Sequence, residues 1–254
     1  MKHKILLPFG VIASLSAFAG TMGPVNVPDY KVIIAGIGGY SSYTNPGNQS
    51  YFGDNYDVFS FATNSDKGTG YGGGFLGIEH ALPWNSSFYQ LGVEYLYYAS
   101  HTLNGTQIVG VEPSTSSAFT DQFRLQTQQL AASLRLLSTV STRFHPYFSV
   151  SLGGAWNNLS QYAITNFNIN AINIPAVLGD HAQSSFSYSL GVGIDTDINQ
   201  NLRLGLGYRF TDFGQASFGS GVVAINNYSA TVPFSVSTNH VQANAFFAQL
   251  SYLI

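Results

Sequence analysis

Six charged residues fall inside stretches of alternating polarity, where a charge must either do chemistry or be neutralised: Glu79, Glu94, Arg135, Asp197, Arg203 and Arg209. In Leu202-Arg203-Leu204-Gly205-Leu206-Gly207-Tyr208-Arg209 the arginines share the parity of the glycines, so they point to the small, polar side of a strand. Glu79 and Glu94 flank a short connection that brings them within about one ladder step, and carboxylates that close repel unless a cation intervenes. Arg135, Arg203 and Arg209 are the available cations. If Asn199-Gln200-Asn201 is a three-residue loop, Asp197 faces Arg203, Asp195 faces Gly205 and Gly191 faces Arg209. A two-residue loop would set polar positions against apolar ones, which the pleat forbids. Two uses of this network stay open: satisfying charge in a narrow, filled interior, or gating an ion path by exchange of partners.

Other chemistry has weaker support. His101, His181 and His240 lie near Ser100, Asp180 and Ser184 in sequence and could serve a lipid hydrolase, but a triad is defined by spatial geometry, and no G-x-S-x-G elbow occurs. The six histidines include no H-E-x-x-H pair and the chain has no cysteine, so no metal site is implied. Gly68-Thr69-Gly70-Tyr71-Gly72-Gly73 matches a dinucleotide-binding pattern without the helix that must follow it; no cofactor is expected, and the chain is read as a non-enzyme.

The elements that position these residues are strands. Phe186, Tyr188, Leu190, Val192 and Ile194 alternate with Ser187, Ser189, Gly191, Gly193 and Asp195; Phe148, Val150, Leu152 and Trp156 alternate with Ser149, Ser151, Gly153 and Ala155. Charged residues are only 8% of the chain, aromatics 15%, and the mean hydropathy is +0.09, which fits strands apolar outside and polar inside. Eight candidates follow, near 30–41, 70–82, 88–99, 123–137, 145–158, 184–198, 202–212 and 239–254. The first is apolar on both faces, and Arg124–Gln128 loses the pattern as though projecting above a membrane. Connections alternate long (42–69, 100–122, 159–183, 213–238) and short, the layout of an eight-stranded antiparallel up-and-down transmembrane β-barrel with both termini periplasmic and long loops extracellular. The closing strand puts Phe246, Leu250, Tyr252 and Ile254 on one face, an edge that must be covered by the first strand. Trp84 in a short turn and Trp156 at the far end of a strand suit the two interfacial girdles.

Lys2 and Lys4 precede an apolar run ending in Ala17-Phe18-Ala19, so residues 1–19 read as a secretory signal peptide and 20–254 as the barrel. Without the two lysines, 7 basic residues stand against 12 acidic ones, a net of −5 that disfavours a nucleic-acid partner.

Gly207-Tyr208-Arg209-Phe210-Thr211-Asp212-Phe213-Gly214 resembles the penultimate-strand segment of the small outer-membrane barrels of the opacity and outer-membrane protein A-like group, and the last strand resembles that group's assembly signal, with Ile254 where Phe is usual. The resemblance implies insertion by the barrel-assembly machinery, contact with outer-membrane lipids and lipopolysaccharide, and a surface-exposed monomer. It implies no single activity, since members act as adhesins, surface antigens, structural proteins or weak pores. Three readings remain: a structural or adhesin-like interaction barrel meeting host or envelope ligands through its loops, a narrow pore, and a lipid-modifying enzyme.

Overall fold

The computed structural model describes residues 30–44, 48–52, 58–63, 68–83, 86–110, 116–140, 143–166, 174–225, 228–231, 235–238 and 240–254. The signal-peptide segment 1–19, Trp84 and Phe167–Ile169 of the third long connection lie outside them. The described residues form β1 (Tyr30–Thr44), β2 (Asn48–Phe52), β3 (Val58–Thr63), β4 (Gly68–Ala81), β5 (Ser87–Val109), β6 (Ser117–Ser138), β7 (Phe144–Asn166), β8 (Val177–Gly179), β9 (His181–Asp197), β10 (Leu202–Asp212), β11 (Gly219–Ile225), β12 (Tyr228–Thr231) and β13 (Gln242–Leu253). Eight of them close a ring of antiparallel neighbours in the order β1-β4-β5-β6-β7-β9-β10-β13, and β13 returns to β1. The seam runs from Ile33 opposite Leu253 to Thr44 opposite Gln242, and Val32 and Ile254 extend it by exchanging backbone hydrogen bonds of 3.0 and 2.9 Å. The β2–β3 hairpin continues the sheet beside β5, and β8, β11 and β12 form a separate small sheet.

Period-two alternation decides what each strand buries. Val32, Ile34, Leu76, Leu91, Leu152, Leu190, Leu204, Leu206 and Leu250 point outward and are exposed, while Ser149, Ser151, Ser187, Ser189, Gln249 and Ser251 are buried inside. This is the reverse of a water-soluble domain. On β1 the ambiguity resolves: Ile33, Ala35 and Ile37 take the interior and Val32 and Ile34 the outer face. Exposed Tyr30 and Tyr40 bracket the outer face of β1, ten residues apart. At about 3.4 Å per residue and a tilt near 40°, that is about 25 Å of height, the thickness of a barrel's apolar band. The far rim continues through Tyr95, Tyr97, Trp156, Phe186 and Phe246, all exposed. There Tyr95 donates to Gln128 (2.9 Å) and Gln126 donates to Tyr97 (2.8 Å), so phenols and amides meet where the band ends.

Beyond that rim the strands continue with their polarity inverted. β5, β6 and β7 are 23, 22 and 23 residues long, about twice the 9–11 that a tilted strand needs to cross a bilayer. In the extension Thr102, Asn104, Thr106, Gln122 and Arg124 face outward, while Leu103, Val109, Phe119, Phe123 and Leu125 are buried inside. The expected loop at 100–122 is therefore a correction: β5 and β6 stay paired to Val109 opposite Ser117. An apolar-outside pattern stops at the membrane surface because the solvent changes, and strands that keep pairing must then bury the opposite face. The other long connections likewise hold short strands: β2 and β3 in the first, β8 in the third, β11 and β12 in the fourth.

Leu206 sits midway along the outer face of β10. Leu206→Arg is expected to destabilise the barrel by about 2–4 kcal/mol, read as a lowered denaturant midpoint in lipid vesicles. The same change at Gln126, outside the band, is expected to be nearly neutral.

Candidate functional site

The interior is filled in layers from the short-turn end upward. In the lowest layer Arg203 donates through Nε to Asp197 and through Nη1 to Glu79, both at 2.7 Å, with its guanidinium 5.0 Å from the Phe88 ring centroid. Gln90 adds a 2.9 Å bond to Glu79, and the His145 ring links Asp197 (2.8 Å) to Thr139 (3.1 Å). The register opposing Asp197 to Arg203 comes from the Asn199–Asn201 turn, where Ile198 N–H donates to Leu202 C=O.

One layer up, Arg209 makes a two-pronged contact with Glu94 at 3.0 and 2.9 Å; both side chains are almost fully buried. This corrects the expected pairing of the two carboxylates. Phe75 stands opposite Glu94 and Gln90 opposite Glu79, so the glutamates are four residues out of register, each with its own arginine. Ala81 pairs with Phe88, and stepping back from that pair sets Glu79 opposite Gln90 and well short of Glu94.

Arg135 is held differently. Its guanidinium donates no hydrogen bond to any described residue and lies between two rings, 5.5 Å from Phe75 and 5.2 Å from Tyr147. Those rings reach it because cross-strand glycines lie beneath them. A Cβ at Gly77 or Gly92 would collide with Phe75, and one at Gly193 or Gly207 with Tyr147. Asp195, buried, also accepts no hydrogen bond from the described residues on either oxygen. His145, Gln90, Asp195 and the two rings are interior groups that the charge inventory omitted; the signal that could have found them was parity within each strand, His145 and Tyr147 with Ser149, Phe75 with Glu79, Gln90 with Glu94 and Asp195 with Ser189.

Above the charges come hydroxyls and amides. Gln129 donates to Ser187 and Ser189 at 2.6 and 3.2 Å, Ser151 donates to Ser133, and Thr127 donates to Asn157. The connection after β10 then closes the mouth. Gly214, at φ 71°, turns the chain back while the Asp212 carboxylate accepts its N–H at 2.8 Å. Phe213 is thereby driven into the interior, fully buried, 4.8 Å from Tyr98 and 6.1 Å from Tyr43. Asn157 donates to the carbonyls of Phe213 and Gln215, and residues 213–218 pair back with 236–241 through backbone bonds such as Phe218 N–H to Val236 C=O. Ala216, Phe218, Val236 and Val241 are buried with Phe213. The resemblance-bearing segment thus supplies the arginine of the middle layer, the stopper and the turn.

The rim histidines take separate partners. His181 shares a 3.0 Å bond with Ser217, His101 stacks on Tyr43, and His240 meets Asp212 at 2.9 Å; Asp180 instead accepts the Gln161 N–H. Trp156 lies on the outer rim, and Phe246, Leu250, Tyr252 and Ile254 share the exposed outer face of the seam strand.

A family model described as the outer membrane protein beta-barrel domain matches residues 13–245. The chain belongs to this family. The outer-membrane barrel is also similar in fold to Neisserial surface protein A (12% identity, 87% of this chain and 96% of that one, TM-score 0.44). Similar figures hold for the outer membrane protein OprG from Pseudomonas aeruginosa (12%, 87% and 95%, 0.43) and the outer membrane protease OmpT from Escherichia coli (10%, 90% and 98%, 0.42). No curated protein matches the sequence.

Two measurements test the barrel's interior. Arg209→Leu strands a buried Glu94 carboxylate and is expected to cost about 3–5 kcal/mol in denaturant unfolding, most of it recovered by adding Glu94→Gln. At the mouth, burial pushes the Asp212 carboxyl up, but donation from His240, Gln242 and the Gly214 N–H outweighs it and holds the group below the usual carboxylate range. A lowered folded pKa gives stabilisation that is present above the unfolded value of about 3.9 and lost as pH falls through the lower folded one. The Gly214 amide signal of the micellar protein should therefore titrate with a midpoint below about 3.9; a midpoint above it would contradict the clamp.

Proposed function

We propose that the chain is a plugged surface barrel of the bacterial outer membrane, structural or adhesin-like, that meets host or envelope ligands through its long-loop end. The inverted extension carries this reading: about half of β5, β6 and β7 stands clear of the apolar band, polar outside and packed inside, as a rigid pedestal for the loops. In this reading the loops are extracellular, both termini are periplasmic, the band contacts outer-membrane lipid and lipopolysaccharide, and the monomer is inserted by the barrel-assembly machinery reading Phe246, Leu250, Tyr252 and Ile254. The Glu79, Glu94, Arg135, Asp197, Arg203 and Arg209 layers serve as filling. A pore is disfavoured by Phe213 and the buried mouth segment above those layers. A rim hydrolase is disfavoured by the separate partners of His181 and His240.

Planar bilayers should show no reproducible openings for the wild type, and regular openings altered by Arg209→Ala would refute the plug. Excising residues 219–231 should abolish cell attachment while the barrel still shows heat-dependent electrophoretic migration. Attachment that survives the excision would rule out the fourth connection as the contact surface, and protease cleavage confined to the short turns in intact cells would reverse the orientation.

A further inference from the structure

The outer wall of the extension changes character register by register. At the rim Trp156 stands opposite Gln128, which accepts from Tyr95. One step higher, Gln126 donates to Tyr97 and stands opposite Asn158. A further step up, Arg124 lies between Thr102 of β5 and Ser160 of β7, exposed on the outer face. Two residues of strand at about 3.4 Å each, with a tilt near 40°, put Arg124 about 5 Å above the Gln126–Tyr97 bond, just clear of the apolar band.

Two backbone irregularities frame this face. On β5 the pairing passes from Tyr98 opposite Thr127 to His101 opposite Leu125, so Ala99 and Ser100 together span Gln126. The extra residue moves the outward parity of β5 from odd to even numbers: His101 turns inside, and Thr102 takes the place beside Arg124. On β7 the outward run through Trp156, Asn158 and Ser160 ends at Gln161, whose φ of 55° beside a register shift turns Tyr162 inward. Arg124 is left among hydroxyls and amides, with Gln122 above it and Gln126 below. Among the described residues it forms no ion pair. The Asp180 carboxylate stands on the β9 side of β7, away from β6, and accepts the Gln161 N–H at 2.8 Å.

A molecule whose acyl chains lie against the band has its head group at the height of Arg124, because this face continues the lipid-facing wall without a break. The unpaired guanidinium calls for an anion, and its planar fork of donors matches phosphate. The hydroxyls and amides beside it both donate and accept, which suits sugar hydroxyls. We propose that this face binds the phosphorylated sugar head of lipopolysaccharide, with Arg124 on a phosphate and Thr102, Gln122 and Ser160 on the sugar. This rests on the long-loop end facing outward, since that head group occupies the outer leaflet.

Native mass spectrometry of the full-length protein in micelles, titrated with bisphosphorylated lipid A, its dephosphorylated form and phosphatidylglycerol, tests the site. The bisphosphorylated form should bind at least about fivefold more tightly than the dephosphorylated one. Arg124→Gln should remove that preference and Arg124→Lys keep part of it, both with unchanged heat-dependent migration. A preference that survives Arg124→Gln would overturn the proposal. Equal binding of the two lipid A forms by the wild type would do the same without any variant. Phosphatidylglycerol bound as tightly as bisphosphorylated lipid A, and as dependent on Arg124, would overturn the assignment to a sugar head. Micelles have no leaflets, so these outcomes are independent of orientation; protease cleavage confined to the short turns in intact cells would instead sink the outward reading alone.

Discussion

Within the apolar band no water is available to satisfy a peptide group, so each backbone N–H and C=O must find its partner in the sheet itself. The β1–β13 seam meets that constraint by leaving no edge, and every other feature follows from it. A closed ring of eight strands has an interior just wide enough for side chains. Because lipid claims the outer parity, the polar and charged parity is forced into that narrow space. Arg209 with Glu94 is what charge looks like when it has no route to water, while Arg203 joins buried Glu79 to Asp197 at the wetter short-turn end.

The same parity explains what could be read from the sequence. Strand order, the eight-membered ring, the outward placement of Phe246, Leu250, Tyr252 and Ile254, and the pairing of Asp197 with Arg203 were legible, because each rests on period two and on one short turn. The separation of Glu79 from Glu94 was readable too, since stepping back from a short turn after Leu82 already sets them several residues out of register. The length of β5–β7 was hidden. Thr102, Asn104 and Thr106 look like loop residues to a test tuned for lipid outside, and like an ordinary soluble strand face once water replaces lipid. Tyr162 escaped any pattern, since a bulge at Gln161 moves it to the face its number forbids.

Arg135 shows how backbone composition substitutes for hydrogen bonds. Among the described residues no oxygen accepts from its guanidinium, yet Phe75 and Tyr147 flank it because the glycine pairs Gly77–Gly92 and Gly193–Gly207 give their rings room to lie across the sheet. Glycines that read in sequence as relief for a curved sheet are therefore also part of the cation's surroundings.

The mouth segment that carries Phe213 lies between β10 and β13, the last two strands of the ring. Its two ends are pinned to each other across Asp212, His240 and Val241 only when those strands are neighbours. A chain lacking its final strand would then have an unzipped side and an unstoppered, wet core together. Closing the cylinder and corking it are a single event, so any intermediate that leaks is also one whose seam can still be reached.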